Sequence, residues 1–291
     1  MSWEYADLFD VRIGEPEQLT LWTAAAPTVT VGRMGYRTRT IKAGPRLEID
    51  IYPIWGREDA GRARRAKKQN ATPERIQRAN EERNRHLLVL LADANFTAED
   101  QHVTLTYSGS DPSYDNTLKF VRNFLSRVKR ARSRKGLPPL KYIYSVEDNE
   151  DGKPVKRHVH MLMSGGLTRE EIEALWGKGF ANVDRLQPTE RGLEAIAMYI
   201  TKQQRNRHRW CASKNLKRPG DPGFKVRVSN TKVSNSRVKR IAASVENNAK
   251  EVLQKLYPDY QFVDCRAYGS DILPGVYIKA LMRKHERRRI T

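Results

Sequence analysis

From Gln101 to about residue 203 the hydrophobic period of the chain switches repeatedly between two and roughly 3.6, which restricts this stretch to strands alternating with amphipathic helices. Gln101–Tyr107 reads as a strand. A helix follows, capped by Asp115 or Asn116, in which Leu118, Val121, Phe124, Leu125 and Val128 recur three to four apart until Gly136-Leu137-Pro138-Pro139 ends it. Tyr142–Asp148 and Lys156–Met163 form a hairpin about Asp151-Gly152. Thr168 starts a short helix to Trp176, Phe180–Leu186 is a fourth strand, and Thr189 caps a helix with Leu193, Ile196, Ala197 and Ile200 turned inward. The order β-α-β-β-α-β-α predicts an α+β fold, a ferredoxin/RRM-like antiparallel sheet with helices on one face and the other open to a ligand.

The flanks are expected to be accessory regions. Residues 1–98 hold a hairpin, Tyr36–Ile41 and Arg46–Tyr52 about Ala43-Gly44-Pro45, then a basic helical stretch over 57–92 with a start at Thr72-Pro73-Glu74 and a buried segment at Leu87–Ala92. Residues 99–204 form the core. The basic region 205–291 contains a helix near Ser236–Leu256 and strand-like pieces at Gln261–Arg266 and Val276–Ala280.

Charge then narrows the partner. Among 291 residues, 54 Lys and Arg against 34 Asp and Glu leave a formal charge of +20, which calls for a polyanion and nucleic acid first. Nine basic residues and no acid lie between Lys119 and Lys141, and thirteen with only Asp221 between Lys202 and Arg240. Arg122, Lys129, Arg130, Arg205, Arg207, Arg209, Lys214 and Lys217 in these runs are candidate DNA contacts. A single run of this kind is as readily a solvated helix face; two flanking one stretch are harder to dismiss. Gly177-Lys178-Gly179 lacks the spacing and hydroxyl of a nucleotide-phosphate loop, so no motor is expected within the chain. Two distant cysteines, Cys211 and Cys265, fit a reducing cytoplasm, in a bacterial host cell, and no apolar run approaches a membrane span.

The chemistry is concentrated on the hairpin. In Arg157-His158-Val159-His160-Met161-Leu162 both histidines face one way, their Cα atoms about 6.5–7 Å apart, so two imidazoles can converge on one metal ion. With Asp151-Gly152 as the turn, Ser145 opposes His158 and Glu147 opposes Lys156, on the histidines' face. Asp148, Glu150 and Asp151 are alternative acids, better suited to the turn. Two His and one Glu suit a divalent cation, Mn²⁺ or Mg²⁺, with Zn²⁺ also admitted by imidazole. His102, beside Thr104 and Thr106, is an outer-shell donor or simply exposed. Tyr199 and Lys202 lie three apart on one helix stripe, where an ammonium can stand beside a phenol whose ordinary pKa is about 10.

In order, these residues resemble the HUH endonucleases, and among them the rolling-circle replication initiator (Rep) proteins. Val103-Thr104-Leu105-Thr106-Tyr107 is similar to the family's first strand motif, His158-Val159-His160 to its metal motif, Glu147 to its acidic third ligand, and Tyr199 with Lys202 to its nucleophile motif. The resemblance covers about residues 100–204. It implies a metal-dependent, sequence-specific single-strand DNA endonuclease and strand transferase of the single-tyrosine class, with Tyr199 taking a 5′-phosphate and a 3′-OH left to prime synthesis. It further implies single-stranded or hairpin origin DNA as partner, Thr104 and Thr106 at the DNA-facing strand, and a host helicase and polymerase. The rivals are an HUH transposase or relaxase, which share the nicking step, and a non-catalytic RRM-like RNA binder, which would need stacking aromatics on the central strands.

Overall fold

In the computed structural model, which describes residues 35–57, 72–150, 153–200, 210–269 and 275–285, ten strands and six helices are seen among the described residues. The strands are β1 (Tyr36–Ala43), β2 (Arg46–Pro53), β3 (Gln101–Leu105), β4 (Tyr142–Glu150), β5 (Lys153–Met163), β6 (Ala181–Arg185), β7 (Cys211–Ala212), β8 (Phe224–Ser229), β9 (Tyr260–Tyr268) and β10 (Tyr277–Lys284). The helices are α1 (Pro73–Asn95), α2 (Tyr114–Arg134), α3 (Arg169–Trp176), α4 (Glu194–Tyr199), α5 (Asn235–Ala243) and α6 (Val245–Leu256). They divide into two units, residues 87–218 and residues 1–86 with 219–291, the division falling inside α1. None of the described helices is long and apolar enough to cross a membrane.

Within 87–218 the sheet order is β6-β3-β5-β4-β7, every neighbouring pair antiparallel. Its first four strands reproduce the expected ferredoxin/RRM-like arrangement, and β7 adds a short edge. Val103 and Leu105 of β3, Val159 and Met161 of β5, and Tyr144 and Val146 of β4 all point to one side. There they pack on Val121, Phe124, Leu125 and Val128 of α2 and Ile172 and Trp176 of α3. Each such side chain, fully buried, contributes about 1.5–3 kcal/mol of hydrophobic stabilisation before entropy is counted. By alternation His102, Thr104, His158, His160, Ser145 and Glu147 must face the other side.

Helix boundaries show where local signals fail. Ser113, not Asp115 or Asn116, caps α2, its Oγ accepting the Asn116 N–H at 3.3 Å; Asp115 lies in the first turn, where its charge suits the helix N-terminus. Thr168 and Glu171 form the reciprocal capping box of α3. The last helix begins at Glu194 rather than after Thr189. Thr189 instead exchanges backbone hydrogen bonds with Gly192 at 3.0 and 2.9 Å in a tight turn. The Leu193 N–H that precedes α4 is met by the carboxylate of buried Asp93 at 2.9 Å, a partner one hundred positions away.

In the other unit the sheet runs β8-β1-β2-β10-β9, so strands from both flanks of the core pair directly, as in Ile51 opposite Ile278. Leu47, Ile49, Ile51, Ile278, Ala280 and Met282 pack on Val238 and Ile241 of α5 and on Ala249, Val252 and Leu253 of α6. The single helix expected over Ser236–Leu256 is two, interrupted by the extended Ser244. Arg46 and His86 both bond the Glu48 carboxylate at 2.6 Å. Burial works to raise that carboxyl's pKa, but His86 and Arg46 outweigh it and hold it well below the usual carboxylate range.

Candidate active site

The β4–β5 hairpin places the acidic residue beside the histidines by a register different from the one its turn predicts. Next to the turn, Asn149 opposes Pro154 and Glu150 opposes Lys153, as expected. Between Glu147 and Asn149 the pairing shifts, and beyond it Glu147 opposes His158 and Ser145 opposes His160. The expected pairs, Glu147 with Lys156 and Ser145 with His158, are therefore corrected by two residues. Pro154, which has no N–H to give the ladder, borders this irregularity. A slip of two preserves side-chain parity, so Glu147 stays on the histidines' face and moves closer to them.

Glu147 Oε2 lies 3.2 Å from His158 Nε2 and 3.1 Å from His160 Nε2, and one ligand atom from each of the three falls within 4.8 Å of the others. His158 Nδ1 is 3.1 Å from the Lys156 carbonyl oxygen. A carbonyl only accepts, so Nδ1 carries the hydrogen and Nε2 aims its lone pair at the carboxylate. Lone pairs so opposed need a cation between them. Thr104 Oγ lies 3.3 Å from His160 Nδ1 on the ring's other edge. Burial, then the neighbouring His158 and His102, push the His160 pKa down to about 3, leaving a neutral imidazole with a ligand's lone pair. Two neutral imidazoles and one carboxylate are a donor set that fits a divalent cation.

α4 brings the tyrosine to this cluster. Ser145, which opposes His160, donates its hydroxyl to the Ile200 carbonyl at 2.7 Å and so pins the end of α4 on the same sheet face. The Tyr199 ring stands 5.0 Å from that of His160, at 72°. His102 completes the group, stacked on His160 at 5.6 Å and meeting Tyr199 edge-on at 6.5 Å. Its Nε2 is buried without a hydrogen-bond partner, and burial lowers its pKa against the pull of Asp184. The tyrosine is 51% exposed, and Glu147 and His158 are partly so, which leaves the cluster reachable from solvent. Lys202, Arg205, Arg207 and Arg209 lie outside the described residues.

The remaining candidates separate. Thr104 is on the site face, in the row of His160, and Thr106 continues β3 with its N–H and hydroxyl on the Phe180 carbonyl. Lys214 and Lys217 are exposed in the loop after β7, where Lys217 and Asn95 exchange two hydrogen bonds. Arg122, Lys129 and Arg130 are exposed on α2, which covers the opposite face of the sheet; Lys129 sits 5.7 Å over Tyr142 there. The structure thus does not bring these three to the metal-type cluster. The feature that sequence reading passed over is Phe180, exposed at the start of β6 after Gly177-Lys178-Gly179.

Residues 100–204 match the model of the replication-associated protein ORF2 family. That match supports a role in replication with DNA as partner, and its span contains Glu147, His158, His160 and Tyr199. No curated protein and no solved structure matches the chain.

Proposed function

We propose that this protein is a metal-dependent, single-strand-specific DNA endonuclease and strand transferase that initiates rolling-circle replication through a 5′-phosphotyrosine at Tyr199. The observation that carries the reading is the placing of Tyr199 against His160, on the same solvent-reachable face as Glu147 and His158. A cluster that served only to activate water would need no tyrosine at its edge.

Glu147, His158 and His160 would hold the cation, and Thr104 and the Lys156 carbonyl orient the two imidazoles through their Nδ1 atoms. A divalent cation there supplies Lewis-acid polarisation of the scissile phosphate and offsets the charge that builds on its oxygens. The Tyr199 oxygen attacks phosphorus, its proton passing to solvent or a nearby base. The bond from phosphorus to the 3′-oxygen breaks, and that oxygen leaves as the alkoxide, to be protonated to a 3′-OH. Lys202, three residues beyond Tyr199, is assigned to stabilise the phenolate. The phosphodiester's energy is kept in the tyrosyl ester, so a supplied 3′-OH reverses the step. The 3′-OH left behind primes synthesis, with a host helicase and polymerase as the partners this role requires.

Denaturing gels of origin-like oligonucleotides labelled on the downstream strand test this. Wild-type protein with Mn²⁺ or Mg²⁺ is expected to acquire the label, EDTA to abolish transfer, and Tyr199→Phe to bind DNA without becoming linked. Nicking with no protein-linked label, or a labelled Tyr199→Phe protein, would overturn Tyr199 as nucleophile.

A further inference from the structure

Phe180 is 77% exposed, although its neighbours Ala181 and Val183 turn into the core shared with α2 and α3. Alternation therefore directs Phe180 to the same sheet face as Asn182, the face that bears the histidines. The ladder gives its position. The Thr106 N–H donates to the Phe180 carbonyl at 2.9 Å, one residue beyond the Leu105–Ala181 pair. On the other side of β3, Leu105 opposes Val159, so the next residue, Thr106, falls beside His158. Phe180, Thr106, His158 and Glu147 thus make one row across the sheet, with Phe180 two strand spacings, about 10 Å, from His158.

The backbone under this ring is braced. Thr106 Oγ adds a second bond to the Phe180 carbonyl at 3.2 Å, and Ser108 donates its N–H and hydroxyl to the Lys178 carbonyl at 2.9 and 3.2 Å. Gly179 permits the close approach, since a Cβ there would collide with the Thr106 carbonyl oxygen and the Ser108 nitrogen. A large apolar ring held rigidly in water returns little to the fold, while a rigid ring is what a stacking partner needs, because little motion remains to be lost on binding.

We propose that Phe180 is a stacking platform for a nucleobase of the single strand whose phosphate is presented to Glu147, His158 and His160. The proposal rests on the nicking reading above and adds to it the contact that fixes the strand's path. Every base offers a π-face, so this contact supplies affinity and register without choosing the sequence. The span to His158 is one that a nucleotide neighbouring the scissile phosphate can cover in an extended strand.

Fluorescence anisotropy with the full chain in EDTA, using labelled oligo(dT) and an abasic chain of equal length, reads the contact without cleavage. Phe180→Ala is expected to weaken oligo(dT) binding about 5- to 150-fold. It should leave the abasic chain's affinity and the slope of log K against log salt unchanged, because no phosphate contact is lost. Phe180→Tyr should restore binding. Equal affinity of wild type and Phe180→Ala for oligo(dT), or an equal loss on the abasic chain, would overturn the platform. If wild type nicks origin-like DNA yet Phe180→Ala binds unchanged, the platform alone falls; if wild type binds neither chain, the nicking reading falls with it.

Discussion

Thr104 occupies a small position with a large lever, because its hydroxyl is 3.3 Å from His160 Nδ1 while the opposite ring nitrogen faces Glu147. Partners on the far side of a ligating imidazole fix its rotation, and their loss commonly lowers metal affinity about 10–100-fold. Thr104→Val keeps the branched shape and removes the hydroxyl, so Mn²⁺ affinity is expected to fall about tenfold by calorimetric titration, with Thr104→Ser restoring it. His158→Ala removes a ligand itself and should lower the affinity further. An unchanged titration for Thr104→Val would mean that packing alone orients His160. At this scale the chain was readable where period decides direction: the histidine pair shares a face because residues two apart in a strand must. The stack of His102 on His160 was not readable, since it depends on neighbouring strands at a register no local pattern states.

The β4–β5 hairpin shows what survives when an element is misregistered. Its pairing slipped by two residues past the irregularity beside Asp148, and only because two is even did Glu147 remain on the histidines' face. Pro154 was the visible hint. The start of α4 had none, because Asp93 satisfies the Leu193 N–H from another helix and Thr189 is spent on its own turn. In the other sheet, Ile51 meets Ile278 across more than two hundred residues, a pairing that strand propensity at either end does not announce. Glu48 supports the prediction at this scale, since it is held by both Arg46 and His86. Glu48→Ala leaves a nearly buried guanidinium short of its partner and should cost about 3 kcal/mol, read by urea unfolding, with Glu48→Gln costing less. The folded carboxyl titrates below its ordinary value of 4.5, so its contribution is complete above that pH and is lost as pH falls toward the depressed value. Wild type should therefore lose more stability than Glu48→Gln on acidification below about pH 4.5; parallel curves would show that the pair is electrostatically idle.

Net charge of +20 makes the molecule attractive to any polyanion, but the layout of the 87–218 unit gives that attraction a direction. Arg122, Lys129 and Arg130 lie on α2, behind the sheet, whereas Phe180, Thr106, His158 and Glu147 cross its front. A strand following that row passes from β6 over β3 and β5 to β4, and leaves by the edge where β7 pairs with Tyr144 and Ile143. Lys214 follows that edge by two residues and Lys217 is fastened nearby through Asn95. Each phosphate contact on single-stranded DNA steepens log K against log salt by about 0.7. Lys214→Ala with Lys217→Ala is accordingly expected to flatten the slope for oligo(dT) by about 1.4 units. Arg122→Ala with Lys129→Ala and Arg130→Ala removes more charge and should leave the slope unchanged, with only a uniform loss of affinity from the weaker long-range field. Anisotropy titrations across a salt series separate the two. A slope that flattens for the α2 variant and holds for the Lys214 and Lys217 variant would place the strand behind the sheet, away from Tyr199, and so count against nicking at this face.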